Sequence, residues 1–244
     1  MTRDLLVEIG TEELPPKALE TLGGSFGEYF RLGLEKLGLP FKSVRTFASP
    51  RRLAILVTAL AESQEDKVVQ KRGPAISGAY NSDGLPTQAL LGFMRSCGAN
   101  LDQLERLVTD KGEFVSFSQK IDGKLTQDLV PDLVTESLNK LPIPKRMRWG
   151  NLDTEFVRPI HWIVLLFGDK PIKANLYSVI GGRKTYGHRF HHPASIVVDF
   201  PKNYEKLLLS SGKVIADFDR RRQKIRASLE STAKKAGGRA VIDE

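Results

Sequence analysis

The amino-acid sequence predicts an α+β fold: small mixed sheets packed with helices, arranged as two modules plus a C-terminal basic helix. Three observations carry this. Leu5, Val7 and Ile9 alternate with Leu6 and Glu8 at strand spacing, whereas Leu19, Leu22, Phe26, Phe30, Gly33 and Leu37 recur at spacings of three and four, as one helical stripe does. Stretches marked by prolines, at 62–84 and 141–144, bracket a segment whose own pattern shifts between helix and strand.

The first strand, 5–9, ends at Gly10, and Pro15 and Pro16 open a helix, since proline is tolerated where amide hydrogens lack intrahelical partners. Glu12 and Glu13 sit where the positive end of that helix dipole favours carboxylates. Gly38 stops the helix. Residues 52–60 are almost continuously apolar and read as a second strand buried on both faces. If the two strands pair in parallel through the helix, the crossover is right-handed.

Residues 62–84 read as a linker or extended loop. Helices follow at 87–97 and 100–108, capped by Thr87 and Asn100. A hairpin is predicted between 113–121 and the chain from Lys124, turning at Asp122-Gly123. Val130, Leu133, Val134, Leu138 and Leu141 mark another helix, which stops before Pro142 and Pro144. Strands at 160–167 and 172–177 flank a Gly168-Asp169 turn and suit an antiparallel hairpin. The last helix carries Phe218, Ile225, Leu229 and Ala236 on one side and Arg220, Arg221, Lys224 and Lys235 outside, ending at Gly237-Gly238. The predicted organisation is a split first domain, 1–64 with 145–200; an inserted helix-hairpin-helix module, 65–144; and a basic helical segment, 201–244.

At 244 residues the chain is long enough for a sizeable core. Its one cysteine, Cys97, leaves no internal disulfide and points to a reducing compartment and a buried thiol. The longest apolar run, 160–167, falls far short of the roughly 20 residues of a membrane span. Asp4 and Glu8 replace the basic, apolar start of a signal peptide. A cytoplasmic protein with no membrane partner is expected. The net charge of +8 is uneven: residues 1–20 hold two basic and five acidic groups, and 213–239 hold nine basic against three acidic. That asymmetry points to a polyanion, or to a solvated helix face.

In PKRMRWG, 144–150, the cations Lys145, Arg146 and Arg148 stand beside Trp149. On RNA they would neutralise phosphates while the indole stacks on an unpaired base; otherwise Trp149 belongs to the core. In GGRKTYGHRFHHP, 181–193, Arg183, Lys184 and Arg189 accompany His188, His191 and His192. These histidines lack metal spacing: two are adjacent, no cysteine is near, and HExxH is absent. There is no GxSxG and no GxxxxGK[ST], and Cys97 lies in a helical apolar pattern. Glu8, Glu12 and Glu13 could serve acid/base chemistry or a divalent ion, but acidic residues before a helix are ordinary helix-start chemistry. No catalytic residue and no metal ligand set is assigned, which leaves binding.

LLVEIGTEELPPK at 5–17, SPRRLA at 49–54, KRGPA at 71–75, LPIPKRMRWG at 141–150, FVRPIHW at 156–162, GHRF at 187–190 and GKVIADFDRRR at 212–222 follow one another along nearly the whole chain. In this order they resemble the β subunit of bacterial heterotetrameric glycyl-tRNA synthetase. The resemblance implies a partner α subunit, the class II chain that uses ATP to make glycyl-adenylate, and a β subunit needed because it binds tRNA(Gly). It also implies far longer β chains, with an HD-like helical region and an anticodon-binding domain, so the present sequence is expected to be an amino-terminal fragment, inactive alone and without a cofactor of its own.

The RNA contacts expected on this reading are Arg51, Arg52, Lys145, Arg146, Arg148, Trp149, Arg183, Lys184, Arg189, Arg220, Arg221 and Arg222, the cations acting by phosphate neutralisation. A rival is a protein-interaction module whose basic surfaces meet the α subunit or the rest of β without touching RNA. A third is a free-standing metal-dependent hydrolase around His188, His191 and His192.

Overall fold

A computed structural model describes residues 1–242, in an α+β architecture; Asp243 and Glu244, the end of the predicted 201–244 segment, lie outside the described residues. The chain divides into two compact units, one formed by residues 1–63 with 125 onward and the other by Gln64–Lys124.

The larger unit is built on an antiparallel sheet of five strands: β1 (Thr2–Thr11), β2 (Ser43–Ser49), β3 (Arg52–Ala61), β9 (Ile160–Phe167) and β10 (Lys170–Pro171), in the order β10-β9-β1-β3-β2. Strand alternation sends Leu5, Val7 and Ile9 to one face and Leu6 and Glu8 to the other. On the first face pack α1 (Leu19–Lys36), through Leu22, Phe26, Phe30 and Leu34, and α4 (Thr126–Asn139), through Val130, Leu133, Val134 and Leu138. On the second, Phe47, Ala54, Trp162, Val164 and Leu166 meet Val198 and, from α5 (Tyr204–Ser210), Tyr204 and Leu208. Cover on both faces is why residues 52–60 and 160–167 read as near-continuous apolar runs.

The expected parallel crossover is not formed. After α1 the chain makes β2, which the sequence reading missed, and a tight turn at Pro50-Arg51 pairs Ser49 with Arg52. That hairpin delivers β3 antiparallel to β1, with Leu5 opposite Val57 and Glu8 opposite Ala54. The Gly168-Asp169 turn forms as expected and pairs Phe167 with Lys170. The ladder then stops at Pro171, whose nitrogen has no hydrogen to donate. The run 172–177 divides instead, and β11 (Asn175–Leu176) pairs with β12 (Val179–Ile180).

Short ladders complete this unit: β7 (Met147–Arg148) with β8 (Glu155–Phe156), and β13 (Lys184–Tyr186) with β14 (Ser195–Val197). The last helix, α6 (Phe218–Lys235), is capped by Asp217, whose side chain accepts from the Arg220 amide at 2.9 Å. No residue of α6 is fully buried.

The smaller unit has β4 (Lys67–Ala75), β5 (Leu104–Thr109) and β6 (Gly112–Ile121) in the antiparallel order β4-β6-β5, with α2 (Ile76–Ala79) and α3 (Gln88–Cys97). Its core is small: Ala79, Leu90 and Val115, ringed by Ile76, Phe93, Met94 and Leu104. The cap at Thr87 is as expected, its hydroxyl accepting from the Leu90 amide at 3.4 Å. Cys97 is half-buried rather than buried.

Three expectations fail here. The supposed linker contains β4, whose Val68 and Val69 are exposed and so gave no alternating signal. Asn100 caps only the single turn Leu101–Gln103, and the β-branched, alternating residues after it form β5 in place of a helix. The hairpin turns at Asp110-Lys111, not at Asp122-Gly123; the Gly123 amide instead donates to Asp66 at 2.9 Å. Because α4 packs on the sheet of the larger unit, the inserted unit closes at Lys124, well before 144. Among the described residues no helix is long and apolar enough to cross a membrane.

Candidate functional site

The acidic residues of the opening motif separate into two environments. Glu8 is buried on the second sheet face, where its Oε1 accepts from Trp162 Nε1 at 3.0 Å and Thr185 Oγ1 at 2.9 Å and lies 3.3 Å from Arg52 Nη1. Arg52 is itself only 2% exposed, and its Nη2 donates to the Tyr186 carbonyl at 2.7 Å. Burial raises the Glu8 pKa, with Arg52, Thr185, Trp162 and Tyr204 opposing it. The buried Tyr204 phenol is held well above its ordinary value, by burial first and then by the charge of Glu8. This network ties β1, β3, β9, β13 and α5 together. Gly10 makes room for it, because a Cβ there would overlap the Trp162 indole.

Glu12 and Glu13 lie outside that centre and precede the helix, whose first turn holds neither. They meet cations instead. Glu12 contacts His161 Nε2 at 2.9 Å, Arg189 Nη2 at 2.6 Å and Arg51 Nη2 at 3.7 Å, and Glu13 contacts Arg189 at 3.3 Å and Arg51 at 3.8 Å. Burial alone would raise the Glu12 pKa; hydrogen bonding to Glu13 and the charges of Arg51, Arg189 and His161 outweigh it and lower the value. Ion pairing therefore replaces the helix-dipole explanation of these two residues.

The twelve predicted RNA contacts are not one surface. Arg52 is buried and paired with Glu8, so it offers nothing to the outer surface. Arg146 donates to the Leu138 and Asn139 carbonyls at the end of α4, and Arg221 to the Ala48 and Ile215 carbonyls. Arg183 donates to the Asp169 carbonyl. Trp149 packs half-buried against the main core, which is the alternative weighed for it. Arg51 and Arg189 pair as above, and Arg148, Arg220 and Arg222 pair with Glu155, Glu205 and Asp219. Lys145 and Lys184 are exposed. His188 Nδ1 accepts from the Phe190 and His191 amides, so it shapes its own loop. Among the described residues no group of three or more His, Cys, Asp or Glu side chains is placed to hold a metal ion.

What the structure does bring together is four of the seven motifs. Residues 49–52, 187–190 and 213–215 line one cavity of about 300 Å³ with Glu13 and Arg221. Sequence reasoning missed Trp162, Thr185 and Tyr204 as partners of Glu8. The available signal was Glu8 itself, a carboxylate set between apolar neighbours in a buried strand, which requires a buried donor.

The glycyl-tRNA synthetase beta subunit family matches residues 5–244. The glycine–tRNA ligase beta subunit of Marinobacter nauticus is 52% identical over 244 residues, covering all of this chain and 35% of that protein. The corresponding subunits of Hahella chejuensis and Salmonella paratyphi A are 52% and 49% identical over 242 residues, again covering 35% of each relative. The chain thus spans about a third of the length of the curated relatives it matches. On this evidence the chain belongs to the glycyl-tRNA synthetase beta subunit family.

Proposed function

We propose that this chain is the tRNA-binding and assembly portion of the β subunit of a heterotetrameric, cytoplasmic glycine–tRNA ligase, supporting the ATP-dependent attachment of glycine to tRNA(Gly) by an α subunit. The observation that carries the reading is the placement of charge. The segment 64–124 holds eight basic and eight acidic side chains, so the net +8 belongs entirely to the rest of the chain. Helix α6 concentrates it, with seven basic against two acidic side chains and no buried residue. Lys224, Lys234 and Lys235 on α6 are exposed and suit a phosphate backbone better than the arginines already paired within the chain.

A second reading has its own support. Ile225 and Leu229 on α6 are 55% and 48% exposed, and only Phe218 of the predicted apolar stripe packs against the core. A protein surface, from the α subunit or the rest of β, would cover such a stripe.

Replacing Lys224, Lys234 and Lys235 by alanine in the full α and β enzyme separates the two. Titration with fluorescent tRNA(Gly) across a salt series is expected to show weaker binding and a log–log salt slope flatter by about 2. An unchanged slope accompanied by loss of αβ assembly would establish the second reading instead.

A further inference from the structure

The cavity beside the buried Arg52 has a charge imbalance that the surface of α6 does not explain. Its wall holds five cations, Arg51, Arg52, Arg189, Lys213 and Arg221, at the low end of the volume range of small-ligand sites. Three are offset by carboxylates: Arg52 by Glu8, and Arg51 and Arg189 by Glu12 and Glu13. Of the other two, Lys213 has no carboxylate partner among the described residues and Arg221 feels the charge of Asp217 without an ion-pair contact. Lys213 Nζ donates to the Ser210 carbonyl at 2.9 Å, and Arg221 Nη1 donates to two backbone carbonyls at 2.8 and 2.9 Å. Neither forms an ion pair among the described residues. The resulting positive surplus in a partly enclosed space suits a phosphate group.

Arg52 supplies a second, independent observation. It lines the cavity while almost wholly buried, and although its Nη1 faces Glu8 Oε1 at 3.3 Å, its Nε has no hydrogen-bond acceptor. Buried donors of a charged group are costly to leave unmet, so a site with vacant acceptor positions is expected next to them.

The mouth carries an aromatic ring. Phe190 is 78% exposed, and the loop that holds it there is pinned. The His188 amide donates to the Gly212 carbonyl at 2.7 Å and the His192 amide to the His188 carbonyl at 2.9 Å. The Phe190 and His191 amides donate to His188 Nδ1 at 3.2 and 3.3 Å. Gly187 permits this arrangement, because a Cβ there would overlap the backbone of Gly212. A large apolar side chain held in water by a fixed loop provides a stacking face for a planar base.

We propose that this cavity binds one nucleotide, its phosphate against Arg52, Lys213 and Arg221 and its base stacked on Phe190. A nucleotide of an RNA chain and a free mononucleotide carry the same chemistry; the RNA source rests on the function proposed above, and the free nucleotide does not.

Calorimetry on the full chain with adenosine 5′-monophosphate, adenosine and inorganic phosphate tests the proposal. The monophosphate is expected to bind at least about tenfold more tightly than either part, and Phe190→Ala and Lys213→Gly each to weaken it about tenfold. Phe190 is exposed and Lys213 has a φ of +57°, which glycine adopts readily, so neither variant threatens the fold. Displacement of the nucleotide by tRNA(Gly) assigns the site to RNA, and binding undisturbed by saturating tRNA assigns it to a free mononucleotide. The α6 triple variant is expected to lose tRNA affinity with nucleotide affinity unchanged, which keeps the two readings separable. No binding at millimolar adenosine monophosphate, or binding that both substitutions leave unaltered, overturns the proposal.

Discussion

Arg51 and Arg52 are neighbours in sequence with different physical roles. Arg51 sits part-exposed between Glu12 and Glu13, and Arg52 is sealed against Glu8. An RR pair is legible in sequence; which member turns inward depends on the pleat of β3, and its buried acceptor comes from β1, 44 positions away. Truncating Arg52 leaves Glu8 buried and uncompensated, so Arg52→Ala is expected to cost about 3–5 kcal/mol in denaturant unfolding. Glu8 gives a pH signature. Its raised pKa means that, just above the ordinary glutamate range, the folded chain holds a proton that the unfolded chain has released. Stability in that window therefore falls as pH rises, and the fall ends once pH exceeds the raised value. Glu8→Gln removes the titration. The difference in unfolding free energy between the parent chain and Glu8→Gln is expected to decline across this window in a pH series of denaturation curves.

At the scale of elements, the strongly periodic pieces were legible because one face decides each of them. The stripe of α1, the apolar run of β9 and the amphipathic α4 have their core sides written into residue spacing. β2, β4 and β5 were not, since each is exposed along much of its length and held by its ladder more than by burial. Turn chemistry misled for a related reason. Asp122-Gly123 has the composition of a tight turn, but the Gly123 amide donates to Asp66 and the Gly123 backbone lies so close to the Gln64 carbonyl that a Cβ would overlap it, which no local reading anticipates. Gly10 is the corresponding element-scale constraint on the sheet. Strand β1 passes directly beneath the Trp162 ring of β9, so Gly10→Ala must push strand and indole apart. A loss of about 1–3 kcal/mol is expected, with a red-shifted tryptophan emission as the indole leaves its buried contact with Glu8.

At the scale of the molecule, family membership was legible and the division of labour among surfaces was not. The seven motifs lie far apart in sequence, and several of them meet around one cavity and one buried ion pair, so much of what distinguishes this sequence supports the arrangement of β1, β3, β13 and the turn before α6. Most of the arginines predicted as RNA contacts are occupied within the chain. Charge available to an acceptor molecule is concentrated on α6, while the segment 64–124 is neutral. The tRNA contact proposed above therefore falls on the larger unit, and on α6 in particular.

Crosslinking of photoreactive tRNA(Gly) to the assembled α and β enzyme, followed by mapping of the attached β residues, tests this most directly. Attachment is expected within residues 218–235 and around Phe190, with little in 64–124. Attachment confined to 64–124, or found only beyond residue 244 of the full-length subunit, would contradict it.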